Sequence, residues 1–187
     1  AYELEKIIHG TPSGGDNSAS CFGGLVWFQK SNPNIIMPLK NEISYKLENF
    51  VLVNSGPPEK NTGELIQHVR DLSERIRNPI IKEIGKMTHE MKEVLKRKDF
   101  SRMKEIINKT QKNLSKLGIS TKNIDEITSA VRGMGGAAKL CGAGGGGIVL
   151  AYHEDKDQLL RTIKDLGYDT IETELGAEGV RVEIFYD

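Results

Sequence analysis

Cysteine is almost missing from this chain of 187 residues. Only Cys21 and Cys141 occur, so no disulfide framework can be built, and with no CxxC or HxxxH spacing there is no ligand set for a structural zinc. Net charge is missing too. Lys and Arg number 26 and Asp and Glu number 26, which removes the basic footprint of a dedicated nucleic-acid binder. Long apolar runs are also lacking: stretches such as Ile148 to Tyr152 are strand-sized, far below the roughly 20 residues that span a bilayer. Neither nucleic acid nor membrane is therefore expected as a partner. With no signal-peptide pattern, the two thiols read as reduced and buried, and the expected location is cytoplasmic. A Walker-type phosphate loop, G-x-x-x-x-G-K-[ST], does not occur either.

What remains is an ordinary globular composition, with 28% charged residues and a mean hydropathy of −0.40. At this length a domain buries roughly 70% of its unfolded surface and needs no covalent staple. The chain opens on Ala1, and Leu4, Ile7 and Ile8 recur at helical spacing with no cap ahead of them. A preceding, absent part of the protein is the expectation. Thr11 to Ser18 then reads as a turn-rich loop, with Asp16 as the N-cap of one or two helical turns. Strands are expected at Leu25 to Phe28, Ile35 to Leu39 and Phe50 to Val53.

From Asn61 the apolar period changes from two to 3.6. Leu65, Ile66, Val69, Leu72 and Ile76 share a face, Asn78-Pro79 is expected to restart a helix, and further helices carry Met103 to Leu117 and Ile124 to Val131. The last third returns to mixed structure: a glycine-dense segment at 133–147, strands at 148–152, 168–173 and 180–185, and a helix around 158–166. The chain thus reads as three stretches, 1–60, 61–133 and 134–187, without a long linker. The expected class is α+β, an antiparallel sheet with a helical block on one face.

Two features carry possible chemistry. Residues Gly142 to Gly147 satisfy G-x-G-x-x-G, but a strand-like Ile-Val-Leu-Ala-Tyr follows where a dinucleotide fold needs a helix, so that reading fails on context. A tight or bulged hairpin remains one account of the glycines; exposed amides facing a phosphate are the other. Glu5 and Asp16 flank a Pro/Gly turn that reverses the chain. They read either as a surface Glu and a capping Asp, or as two carboxylates meeting at one pocket, where Mg²⁺ suits them as a hard cation. His9 alone is a packing residue as readily as a functional one.

Taken together, Glu5-Lys6-Ile7-Ile8-His9-Gly10-Thr11-Pro12-Ser13-Gly14-Gly15-Asp16-Asn17 and Lys139-Leu140-Cys141-Gly142-Ala143-Gly144-Gly145-Gly146-Gly147 resemble the C-terminal part of the mevalonate kinase family of GHMP kinases. Asn54-Ser55, Asn61-Thr62, Val69-Arg70 and Gly176 to Val180 extend the resemblance over nearly the whole chain. It implies a GHMP-kinase C-terminal domain with a ferredoxin-like antiparallel sheet, and an ATP-dependent phosphoryl transfer to the 5-hydroxyl of mevalonate in isoprenoid biosynthesis. By the same resemblance, Asp16 is the catalytic aspartate and Glu5 the Mg²⁺ ligand. Gly142, Ala143, Gly144, Gly145 and Gly146 line the nucleotide phosphates, and His9, Ser13 and Thr62 lie on the mevalonate side. Gly15 and Cys141 stand where the family often has a branched aliphatic residue and Thr. The family's main phosphate loop, P-x-x-x-G-L-x-S-S-A, is not in the chain, so the missing N-terminal half is an expected partner and the chain alone is expected to be inactive. Another GHMP kinase, acting on phosphomevalonate or a sugar, and a non-catalytic nucleotide-binding module are the alternatives. Oligomeric state is left open, a homodimer included.

Overall fold

The computed structural model describes residues 13–181. The chain divides into two compact units, residues 1–48 with 174–187, and residues 49–173. They cut across the three stretches of sequence, because units are set by packing and not by the period of the apolar pattern. Among the described residues no helix is long and apolar enough to cross a membrane.

In the first unit, helix α1 (Gly15–Phe22) leads into strands β1 (Val26–Gln29) and β2 (Ile35–Pro38), which pair antiparallel as a two-stranded ribbon. The 174–181 segment returns to this unit and lies against the exit of α1. Gly24 N–H donates to Ala177 O (2.9 Å) and Val180 N–H to Cys21 O (3.1 Å). Residues Val180 and Arg181 are not in a strand, and the rest of the strand expected at 180–185 lies outside the described residues.

The second unit is a four-stranded antiparallel sheet in the order β4-β5-β3-β6, made of β3 (Phe50–Asn54), β4 (Ala137–Leu140), β5 (Ile148–Tyr152) and β6 (Asp169–Ile171). Its helices are α2 (Thr62–Asp71), α3 (Glu74–Lys96), α4 (Phe100–Lys116), α5 (Lys122–Gly133) and α6 (Lys156–Asp165). Register fixes the buried face: Val51 lies opposite Ala151 and Ala151 opposite Ala138, while Val53 lies opposite Val149 and Val149 opposite Leu140. These six form one core with Ile124, Ile127 and Val131 of α5 and Leu159 and Ile163 of α6. Burying each of the Val, Leu and Ile side chains is worth about 1.5–3 kcal/mol. The expected α+β sheet with its helical cover is the observed one.

Three local expectations are corrected. Strand β4 is a strand where the sequence reads only a glycine-dense segment. Pro79 does not restart a helix but lies inside α3, which begins at Glu74 after Ser73. The break falls there because Arg77 Nη1 donates to Arg70 O (2.6 Å), closing the carbonyl end of α2. Asp16 is not the cap of α1. Gly14 holds that position at φ 86°, with Gly15 N–H donating to Ser13 Oγ (3.1 Å).

Strand β4 is an edge strand, and α4 covers that edge with side-chain amides. Asn108 accepts from Ala138 N–H (3.2 Å) and donates to Gly136 O (3.0 Å), and Gln111 Oε1 accepts from Leu140 N–H (2.8 Å). Gln111 is 2% exposed. Gln111→Ala therefore leaves a buried N–H unpaired and is expected to cost about 1–3 kcal/mol, read as a lowered urea midpoint. A change within error would show that β4 does not depend on this bond.

Candidate functional site

The candidate site in the second unit begins with the loop from Cys141 to Gly147 that joins β4 to β5. It is bolted down by its backbone: Cys141 N–H donates to Ile148 O, Gly145 N–H to Ile119 O and Gly147 N–H to Gly56 O, each at 2.8 Å. In return Gly145 O accepts from Glu59 N–H, and Gly147 O accepts from both the amide and the hydroxyl of Ser55, again at 2.8 Å. Two of the glycines are required by closeness alone. A Cβ on Gly144 would stand 2.3 Å from Ile119 O, and one on Gly146 2.7 Å from Pro57 O. The approaching group at these positions is the protein's own backbone. Gly142 differs, since a Cβ there meets nothing within 4 Å.

The same network leaves the amides of Gly142, Ala143, Gly144 and Gly146 without an acceptor among the described residues. Gly144 and Gly146 are buried, and a buried N–H without a partner carries a desolvation cost that an incoming acceptor removes. Unspent amides among left-handed glycines form a concavity suited to an anion.

The loop walls a cavity of about 470 Å³ whose opposite side is formed by Pro58, Lys60, Asn61 and Thr62. Asn61 caps α2 there. Its Oδ1 accepts from Glu64 N–H (3.0 Å) and Glu64 Oε2 accepts from Asn61 N–H (2.9 Å), a capping box that fixes the helix start. Thr62 is the first residue of that helix and lines the cavity. Lys60 lines it as well, and has no ion-pair partner among the described residues. None of the lining residues carries a carboxylate. The cavity therefore offers amides, one ammonium and one hydroxyl, a donor set for an oxyanion and not for a metal ion. Among the described residues no group of three or more His, Cys, Asp or Glu is placed to hold a metal.

Of the residues singled out in the sequence, Thr62 and the glycine loop thus share one cavity. Ser13 and Asp16 belong to the first unit. Asp16 sits in the first turn of α1, exposed, and its carboxylate accepts no hydrogen bond from a described residue. Glu5 and His9 lie outside the described residues. Lys60 is the lining residue that the sequence reading passed over. Its signal was its place beside Asn61-Thr62, which the resemblance had already marked.

The family described as GHMP kinases C terminal matches residues 91–169, from near the end of α3 to the start of β6, with the glycine loop inside the match. Those residues are a GHMP kinase C-terminal domain. Mevalonate kinase of Thermococcus sibiricus is 30% identical over 196 residues, covering 97% of this chain and 55% of that protein. Among solved structures, mevalonate kinase of Methanococcus jannaschii matches with a TM-score of 0.80 and 30% identity over 94% of this chain and 54% of its own. L. major mevalonate kinase, solved in complex with R-mevalonate, matches with a TM-score of 0.72 and 25% identity over 86% of this chain and 51% of its own. The chain spans about half the length of the curated relatives it matches. Strands β3 to β6 and the covering helices are the scaffold, and the glycine-loop cavity sits where β4, β5 and the start of α2 converge.

Proposed function

We propose that this chain is part of an ATP-dependent mevalonate kinase, which transfers the γ-phosphoryl group of ATP to the 5-hydroxyl of mevalonate. The observation that carries the reading is the carboxylate-free cavity with four unspent loop amides, Lys60 and Thr62 on its walls. A phosphate tail is the ligand that such a donor set fits. The relatives supply the substrate class: those described above are mevalonate kinases, and one was solved with R-mevalonate.

In this reading the glycine amides and Lys60 hold nucleotide phosphates, while Thr62, Ser13 and His9 contact mevalonate. Asp16 orients the 5-hydroxyl and accepts its proton as the P–O bond forms. Glu5 is the residue assigned to Mg²⁺, an ion that neutralises phosphate charge when bound. Phosphoryl transfer relies on positioning and charge neutralisation, and the whole protein supplies more of both than these 187 residues do. A cytoplasmic setting goes with the same reading.

The test is a calorimetric titration of the chain with Mg·ATP, beside an assay of mevalonate-dependent ADP release. We expect Lys60→Ala to weaken nucleotide binding about tenfold, the size of one charge-assisted contact, and the chain alone to release no ADP above background. Unchanged affinity in Lys60→Ala would remove the cavity from nucleotide binding. Full-length protein that phosphorylates another alcohol in preference to mevalonate would replace the substrate and keep the kinase.

A further inference from the structure

A second cavity, of about 770 Å³, opens between α3, α4 and α5 and shares no lining residue with the glycine-loop cavity. Its wall carries cations and two carboxylates, and both carboxylates are already engaged. Glu83 accepts from Lys109 Nζ (2.6 Å) and Asn113 Nδ2 (2.8 Å). Those two bonds hold its carboxyl below the usual carboxylate range. Asp125 Oδ1 accepts the hydroxyls of Ser120 (2.7 Å) and Ser115 (3.1 Å).

Three further cations line the same wall. Lys112, Lys116 and Arg132 form no ion pair with a described carboxylate, although the charge of Lys116 helps hold Glu83 ionised; Arg132 reaches only Ser129 Oγ (3.2 Å). Lys112 and Lys116 are spaced i,i+4 on α4, an arrangement of like charges that disfavours the helix unless an anion joins them. Asn113, 2% exposed, lines the cavity. Its amide nitrogen is spent on Glu83, so its carbonyl oxygen is left without a donor among the described residues. A buried acceptor of this kind asks for a hydroxyl or N–H.

We propose that this cavity binds a small phosphate monoester that also carries a hydroxyl: the phosphate meets Lys112, Lys116 and Arg132, and the hydroxyl donates to Asn113 Oδ1. A phosphate monoester places up to two charges on one group, which matches a wall with three cations better than a single carboxylate does. The site is separate from the glycine-loop cavity and does not depend on the function proposed above.

The test is a ¹H–¹⁵N correlation spectrum of the chain titrated with glycerol 3-phosphate. Expected are saturable shifts of the Asn113 side-chain amide and of the Ser129 and Arg132 backbone amides. Lys112→Ala/Lys116→Ala, two exposed positions, should weaken that binding at least about tenfold, while Lys60→Ala leaves it unchanged. No shift of these signals at millimolar ligand would overturn the proposal. So would an equal affinity in the double variant, or loss of the shifts in Lys60→Ala, which would move the binding to the other cavity.

Discussion

Gly144→Ala is expected to cost about 2–5 kcal/mol of stability, the sum of about 1–2 for a side chain in left-handed backbone and about 1–3 for overpacking. Gly144 lies at φ 87°, and the added Cβ would meet Ile119 O at 2.3 Å. That carbonyl cannot step aside freely, because it accepts the Gly145 amide at 2.8 Å. Against a total stability of about 5–15 kcal/mol the loss is large. Gly142→Ala is the contrasting variant. It shares the left-handed backbone at φ 66° but meets nothing within 4 Å, so about 1–2 kcal/mol is expected from conformation alone. Its methyl group is added at the exposed end of the candidate phosphate cavity, so nucleotide binding should suffer more than folding does. Urea denaturation of both variants, with a Mg·ATP titration of Gly142→Ala, reads the two effects apart. Equal stability losses at the two positions would mean that the loop is not packed against Ile119 as described.

That contrast also shows how far the glycine run is legible from sequence. Six small residues in a row announce an unusual backbone, and the tight-fit account of them holds, with some of the amides left unpaired. Gly144 and Gly146 serve a tight fit against the chain's own Ile119 and Pro57, and the amides of Gly142, Ala143, Gly144 and Gly146 stay available. Sequence spacing could not apportion the two, since the partner backbone comes from positions 57 and 119.

The helices were legible because their apolar period is unbroken, as in Ile124, Ile127 and Val131, all at 0% exposure. Strand β4 was not, because Ala-Ala-Lys-Leu carries almost no strand preference. Its state is imposed from outside, by Tyr152 to Val149 on one side and by Asn108 and Gln111 on the other. Pro79 misled for the opposite reason. A strong local signal suggested a helix start, but the chain had already turned at Leu72 and Ser73, whose ψ angles are 140° and 143°. Gly23 and Gly179 were likewise unreadable, since a Cβ on Gly23 would stand 2.1 Å from Gly179 N, a contact across more than 150 positions of sequence.

Asp16→Asn in the full-length protein is expected to lower kcat about a thousandfold, within the range a positioned general base contributes, while Mg·ATP affinity stays close to the parent. The structure makes this a clean substitution. The first turn of α1 is held without it: Ser13 Oγ accepts from Gly15 N–H and Ser18 Oγ donates to Gly14 O (2.7 Å). Asp16 is exposed and its carboxylate takes no hydrogen bond from a described residue, so the fold spends nothing on it beyond a favourable helix-dipole position worth about 0.3–1 kcal/mol. Asn keeps the shape and loses only the charge and the basicity. A fall in kcat with an unchanged thermal midpoint would therefore support the proposed role of Asp16 as proton acceptor, whereas a parallel fall in both would report a damaged helix start. Turnover within a few-fold of the parent would take Asp16 out of the chemistry and leave the glycine cavity as a phosphate site whose base lies elsewhere.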